Sequence, residues 1–198
     1  MSLFNVFETK NNSSLPSLIS TMDENMFSNA ASLKLFKGTL ADWNKGKTYH
    51  FVTGGQWSLH ELVGFVLTKT GPANVWLSTW AITENPARAF LSWKESGLIS
   101  NLYGIFDYKI KEQKSATFNL CENFFTKIHL TKCHAKVVVI RNNEWGVSIS
   151  TSANLTRNPR IERGIICVSE TVADSDINWM NAIMSNEEYF KVNRHAES

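Results

Sequence analysis

Residues 133–156, which read CHAKVVVIRNNEWGVSISTSANLT, decide the fold. The four residues at 137–140 are all Val or Ile, and such a continuously apolar run is typical of a central strand that is buried on both faces of a sheet. Asn142 and Asn143 then favour a hairpin turn, and residues 145–150 form another β-rich run. The stretch therefore predicts two paired strands in the middle of a β-sheet.

Strand and helix patterns alternate on the N-terminal side of this hairpin. The predicted strands are residues 47–53, 74–79, 98–106, 127–130, 135–140, 145–150 and 164–168. Helices are predicted from Ser58 to about Thr68, from Asn85 to Ser96 and from Asp174 to about Tyr189. This order predicts an α/β layered fold whose first half is largely parallel.

Two local patterns mark where helices begin. Ser58 and Glu61 stand at capping-box spacing, because the carboxylate of the third helical residue can reach back to the backbone amide of the cap. Asn85 followed by Pro86 predicts a cap and the first helical residue of the second helix.

Two tryptophans and a glycine pair adjoin these elements. The pair at residues 54–55 lacks a GxGxxG or GxxxxGK pattern, so we interpret it as a tight turn rather than an anion site. We interpret Trp57 and Trp80 as core residues. The alternative is that Trp80 lines a substrate cleft, because loops after parallel strands border binding sites.

Length and composition favour one main folded domain. The chain has 198 residues, of which 43% are hydrophobic and 19% charged, an ordinary globular balance. Residues 1–35 are predicted as an N-terminal leader or short helices, and residues 36–198 as the domain. No run approaches the roughly 20 apolar residues of a membrane span. We therefore expect a cytoplasmic protein without stable membrane association.

The formal net charge of +2 is too small to identify a partner, but its distribution is informative. Basic residues gather in one stretch, at Lys127, Lys132, Lys136, Arg141, Arg157, Arg160 and Arg163. An acidic segment follows it. This pattern hints at an anionic ligand, and on charge alone a solvated charged face remains an equal alternative.

The residues that carry chemistry flank the central hairpin. His134 and Lys136 are two apart, and strand alternation predicts that they project from the same face. A neutral imidazole can displace an alkoxide from phosphorus, and a lysine can neutralise the phosphoryl oxygens as charge develops. The hairpin returns Ser152 and Asn154, which can donate to the same oxygens. Glu162 can hold the other ring nitrogen of the histidine and fix its tautomer.

The pattern resembles the signature of the phospholipase D superfamily. That signature is His-x-Lys, four residues, Asp, then Gly-Ser-x-Asn, and His134-x-Lys136 with Ser152-x-Asn154 is similar to it. Glu162 occupies the place of the Glu in the nuclease branch. The resemblance covers about residues 127–170. It implies a phospholipase D-like mixed β-sheet flanked by helices on both faces, with one HKD motif per chain.

The sequence departs from this signature at two positions. Arg141 stands where the family has its Asp, which family members use away from the reacting phosphate. Thr151 replaces the Gly before Ser152, and the interval after Lys136 is a few residues longer, so the phosphate pocket is expected to be reshaped.

The resemblance implies an activity and an assembly. In this superfamily two motifs meet, and one histidine attacks phosphorus while the other protonates the leaving oxygen. Because this chain has one motif, the resemblance implies a homodimer in which two copies of His134 face each other. The expected function is a metal-independent nuclease that cleaves DNA or RNA through a phosphohistidine. No cofactor is expected.

Several alternatives accompany this expectation. A lipid-directed hydrolase or transferase and a non-catalytic nucleic-acid-binding module are compatible with the same fold. Cysteine and histidine residues around position 133 match no standard zinc spacing, so no metal site is expected. Residues expected to bind the substrate backbone are Thr151, Thr156, Arg157 and Arg160.

Overall fold

The computed structural model describes residues 40, 42–156 and 160–185, and the backbone of residues 18–20 and 26–28. Most of the predicted leader, residues 1–35, lies outside the described residues, so the proposed boundary between residues 35 and 36 stays a prediction. Arg157 and the predicted end of the last helix, residues 186–189, also lie outside them.

The described strands form one nine-stranded sheet. The strands are β1 (Leu18–Ser20), β2 (Met26–Ser28), β3 (Thr48–Thr53), β4 (Ala73–Thr79), β5 (Ile99–Asp107), β6 (Lys127–Thr131), β7 (Val137–Arg141), β8 (Gly146–Thr151) and β9 (Glu162–Val168). Their order across the sheet is β2-β1-β3-β9-β8-β7-β4-β5-β6. The central position of β7 agrees with its continuously apolar sequence.

The sheet is mixed, with a parallel part and an antiparallel part. Strands β4, β5 and β6 are parallel neighbours, whereas β4 and β7, β7 and β8, β8 and β9, and β9 and β3 pair antiparallel. The prediction of a largely parallel first half holds for β4 to β6. It is wrong for the pairing of β3, which joins β9 on the other side of the central hairpin.

Helices cover both faces of the sheet, as expected. They are α1 (Leu59–Thr70), α2 (Glu84–Glu95), α3 (Ile110–Gln113), α4 (Ser115–Glu122) and α5 (Glu170–Ser185). Val138 and Ile140 of β7 pack in the layer that contains α1, α2 and α4, while Val139 packs against α5 on the other face. Because successive strand residues point to opposite faces, this single strand contributes to both layers.

Local sequence explains the start of α1 but not that of α2. The Glu61 carboxylate accepts from the Ser58 amide at 2.7 Å, as the capping-box spacing predicts. The predicted cap at Asn85 is wrong, because the cap is Thr83 and α2 begins at Glu84. The Thr83 amide donates to the Leu155 carbonyl at 3.0 Å, and this tertiary bond sets the start.

The remaining helices differ from the sequence prediction. The last helix begins at Glu170, four residues before the predicted start. Helices α3 and α4, between β5 and β6, have no counterpart among the predicted elements. No helix in the described part of the chain has both the length and the apolar character that crossing a bilayer requires.

Candidate active site

The loop that precedes β7 carries His134 and Lys136. Both residues lie outside the strand, which begins at Val137 rather than at the predicted residue 135. Strand alternation therefore does not relate them. The Lys136 ammonium instead donates to the His134 carbonyl at 2.7 Å. The two residues are adjacent, as expected, but a side-chain bond within the loop holds them together.

Asp107, at the end of β5, holds the same loop. It is 6% exposed, and its carboxylate accepts from the backbone amides of Cys133 and Lys109, each at 3.1 Å. Since the Cys133 amide is committed to a side chain, it is not used in a strand ladder. Sequence inspection missed Asp107, although a polar residue at the carboxyl end of a parallel strand is a common sign of a site.

Lys136 is an unusual cation for its depth in the protein. It is 7% exposed, and burial lowers its pKa from the ordinary value of 10.5, an effect that the negative charges of Cys133 in its thiolate form and of Glu162 oppose. Among the described residues, no carboxylate lies within ion-pair distance of its ammonium. The charge is therefore available to an anion from outside.

The hairpin brings the second half of the motif back to Lys136. The Thr151 amide donates to the Lys136 carbonyl at 3.0 Å, one step beyond the pairing of Val137 with Ser150. The Ser152 amide then donates to the Arg163 carbonyl at 2.9 Å. These bonds place the residues after β8 beside the loop before β7.

Ser152 and Glu162 are joined directly. The Ser152 hydroxyl donates to the Glu162 carboxylate, and it accepts from the Arg163 amide at 3.1 Å. The expected hydrogen bond between Glu162 and the His134 ring is absent from the described residues. The His134 side chain itself is exposed to solvent. Within one chain, Glu162 therefore orients Ser152 rather than the histidine.

Asn154 lies beside the end of β4. The hydroxyl of Thr79, a fully buried residue at the end of that strand, donates to the Ala81 carbonyl at 2.9 Å and lies 3.4 Å from the Asn154 side-chain oxygen. The amide nitrogen of Asn154 is then the group that can donate to a phosphate oxygen. Four predicted residues, Lys136, Ser152, Asn154 and Glu162, thus meet at one end of the sheet next to His134.

A shallow surface pocket opens beside this group. Its lining residues are Thr53, Gly55, Trp57, Ser58, Leu59, Ala153, Asn154, Thr156, Arg160 and Glu162. Two of the predicted substrate-binding residues, Thr156 and Arg160, line it, while Thr151 contacts the Arg163 carbonyl at 3.1 Å. The turn at residues 54–55 is thus also a wall of the pocket.

Close packing near the pocket depends on a glycine. A Cβ at Gly164 of β9 would lie 2.2 Å from the ring of Phe51 in β3 and 2.8 Å from the Ser150 carbonyl. No side chain fits there, so the Phe51 ring can pack over Gly164 in the register that pairs Thr53 with Glu162 and Thr151 with Gly164.

Arg141 lies at the other end of β7, away from this group. Its guanidinium pairs with Glu170 at 3.0 Å and with Asp174 at 2.9 Å, both in the first turns of α5. The hydrogen bond to Asp174, with further help from both carboxylate charges, raises its pKa. The departure from the family signature therefore contributes to helix packing and leaves the candidate site intact.

Comparisons with known proteins bear on the fold. No protein-family model matches the chain, and no curated protein sequence matches it significantly. The structure of Nuc, a phospholipase D family member from Salmonella typhimurium, matches with a TM-score of 0.55 and 15% identity, over 68% of this chain and 93% of that one. A polyphosphate kinase from Porphyromonas gingivalis matches with a TM-score of 0.52 and 12% identity, over 70% of this chain and 26% of that one. The likeness to Nuc confirms a phospholipase D-like fold.

Proposed function

We propose that the protein is a metal-independent phosphodiesterase that cleaves nucleic acid through a covalent intermediate on His134. The observation that carries the proposal is the buried ammonium of Lys136, which forms no ion pair within the described part of the chain and is next to an exposed histidine. A buried cation without an ion-pair partner is costly, so its presence favours a role in binding an anion. The phospholipase D-like fold, whose superfamily signature the motif resembles, supports the same chemistry.

The first step is an attack on phosphorus. A ring nitrogen of neutral His134 forms a bond to phosphorus, and the bond between phosphorus and the leaving oxygen breaks. Lys136 and the Asn154 amide stabilise the phosphoryl oxygens as charge develops, and Ser152 is oriented beside them by Glu162. The leaving oxygen takes a proton from His134 of the partner subunit.

The second step regenerates the enzyme. Water attacks phosphorus, the nitrogen–phosphorus bond breaks, and the partner subunit's His134 accepts the proton of the water. Each turnover therefore needs two histidines, whereas each chain supplies one in this motif. For this reason we propose a homodimer with its two-fold axis at the candidate site.

The proposal predicts cleavage of DNA or RNA in the presence of EDTA. Replacing His134 with Ala is expected to lower kcat by about four orders of magnitude, because it removes the nucleophile. His129→Ala is a matched control, since His129 lies in β6 at the far edge of the sheet, and it is expected to retain activity. Gel-based cleavage of labelled DNA and RNA measures both.

Two outcomes would contradict the activity. Full cleavage by His134→Ala would exclude the proposed nucleophile, and intact substrate after long incubation with the wild-type protein would favour a binding module. Turnover on phospholipid vesicles without turnover on nucleic acid would favour a lipid-directed enzyme.

Mixing subunits tests the dimer separately. When wild-type and His134→Ala subunits exchange freely at equal amounts, about one quarter of the dimers carry two histidines. Activity per total subunit should fall to about a quarter of the wild-type value. A fall to about one half would indicate that each chain works alone.

A further inference from the structure

Two exposed aromatic side chains border the candidate site. Trp80 is 36% exposed and Tyr108 is 41% exposed. Trp80 directly follows β4 and Tyr108 directly follows β5, and these strands are parallel neighbours, with Thr79 paired to Phe106. Both aromatic residues therefore emerge at the end of the sheet where the His134 loop lies. The interpretation of Trp80 as a core residue is wrong.

Each aromatic residue is next to a buried residue that contacts the site. The hydroxyl of Thr79, before Trp80, lies 3.4 Å from the Asn154 side-chain oxygen. Asp107, before Tyr108, accepts from the Cys133 amide at 3.1 Å. The backbone that borders Asn154 and holds the His134 loop therefore also holds Trp80 and Tyr108.

The same two strands carry a second aromatic pair, which is covered. Trp76 of β4 and Tyr103 of β5 stack with ring centroids 4.9 Å apart, and they pack with the side chains under α5. The Trp76 indole also donates to Asn181 of α5 at 3.1 Å. Trp80 and Tyr108, at the ends of the same two strands, are left more exposed to water.

Basic side chains accompany the exposed pair. Lys109 follows Tyr108, and Lys132 follows Thr131, whose carbonyl accepts from the Tyr108 amide at 2.9 Å. Both lysines are exposed, and neither forms an ion pair with any residue in the described part of the chain. Aromatic faces beside unpaired cations suit a single strand, whose bases can stack while its phosphates meet the lysines.

We propose that Trp80 and Tyr108 form a stacking platform for the unpaired bases of a single-stranded nucleic acid. The strand would place one phosphate at His134 and Lys136 and its neighbouring bases on the two rings. In a duplex the base faces are covered by stacking and pairing, so the platform discriminates against it. This inference rests on the proposed function and narrows its substrate class.

Binding to a cleavage-deficient protein tests the platform directly. In a His134→Ala background, the probes are a fluorescent 12-residue thymidine oligonucleotide, its abasic counterpart and a duplex of the same length, read by anisotropy. Trp80→Ala and Tyr108→Ala are each expected to raise the Kd for the single strand about tenfold. Their Kd for the abasic strand should stay within about threefold.

Conservative and distant variants serve as controls. Trp80→Phe and Tyr108→Phe keep a ring and should bind within about threefold of the parent. Val172→Ala removes another exposed apolar side chain, from α5, and should change nothing. The platform would be overturned if the Ala variants lost as much affinity for the abasic strand or the duplex as for the single strand. It would also be overturned if they lost no affinity for the single strand.

Two further measurements distinguish the platform from a dimer contact and from the cleavage site. Sedimentation of each variant should show an unchanged oligomeric state; dissociation by Trp80→Ala would show that a second copy covers the ring, and would overturn the proposal. Base-dependent binding without EDTA-resistant cleavage by the wild-type protein would support the platform while refuting the phosphodiesterase. Cleavage by the wild-type protein with no effect of either Ala variant on binding would refute the platform alone.

Discussion

The two ends of β7 each carry a cation, and the two cations are in opposite situations. Lys136 precedes the strand, is 7% exposed and donates to a backbone carbonyl at 2.7 Å. Arg141 ends the strand, with 24% of its side chain exposed, and is paired with Glu170 and Asp174. A single short strand therefore separates a buried cation with no ion pair among the described residues from a more exposed cation with two.

The difference between them shows how a structural charge is distinguished from a functional one. The positive charge of Arg141 is already neutralised, and it fastens α5 to the sheet. The charge of Lys136 lacks such a partner among the described residues, so a bound phosphate would relieve the cost of its burial. Substitutions at the two positions, and a change of pH, test whether Lys136 serves activity and Arg141 serves stability.

Replacing Lys136 with Met should have the largest effect on activity. Met has similar length and no charge, so the site loses its cation without losing volume. We expect kcat to fall on the order of 10²- to 10³-fold, because one stabilising group for the developing charge is removed. Urea unfolding should show a free energy within about 1 kcal/mol of wild type, since the lost hydrogen bond is offset by removal of a buried charge. Unchanged cleavage would contradict the role of Lys136.

Replacing Arg141 with Met should lower stability and leave activity nearly unchanged. Both ion pairs are lost, and Glu170 and Asp174 are half exposed, so we expect unfolding to become easier by about 1 kcal/mol. Cleavage below the unfolding transition should stay within about threefold of wild type. A loss of activity as large as that of Lys136→Met would show that Arg141 takes part in the site.

The pH dependence of cleavage should show the smallest effect, and it is the most specific test of the Lys136 charge. Because burial lowers the pKa of Lys136 in the free protein, kcat/KM should fall on the alkaline side with an apparent pKa below 10.5. In Lys136→Arg this limb should move upwards, since a guanidinium stays charged. An alkaline limb at the same pH in both proteins would assign it to another group.

Deprotonation of Lys136 should make the folded protein more stable, although it lowers activity. The folded protein binds the Lys136 proton less tightly than the unfolded chain does. The free energy of unfolding that Lys136 contributes therefore increases as the pH rises from the lowered pKa towards 10.5. Comparing urea unfolding of wild type and Lys136→Met across this range isolates the contribution.

The helices show where sequence reasoning succeeds and where it fails. The capping box at Ser58 and Glu61 predicts the start of α1, because both groups lie within one turn of the chain. The predicted start of α2 is wrong because the true start depends on the bond from Thr83 to Leu155, which lies far along the chain. No local pattern around Asn85 contains that partner.

The candidate site shows the same division. Residue types and spacing identify its members, but the strand alternation that was expected to align His134 and Lys136 is wrong. Asp107 and Lys136 use side-chain bonds to shape this loop. The large apolar ring of Trp80 favours a core position, whereas the paired strands β4 and β5 end around it and leave it exposed.

The sequence by itself determined the strands from β3 to β9, the paired hairpin at the centre of the sheet and the residue types of the candidate site. Those features follow from apolar periodicity, turn residues and chemical character, all of which act over a few positions. Only the tertiary structure decided that Lys136 is buried with no ion pair to any described residue, that Arg141 is neutralised by α5, and that Glu162 contacts Ser152 rather than His134. Burial and charge pairing depend on elements distant in the chain, and packing alone brings them together.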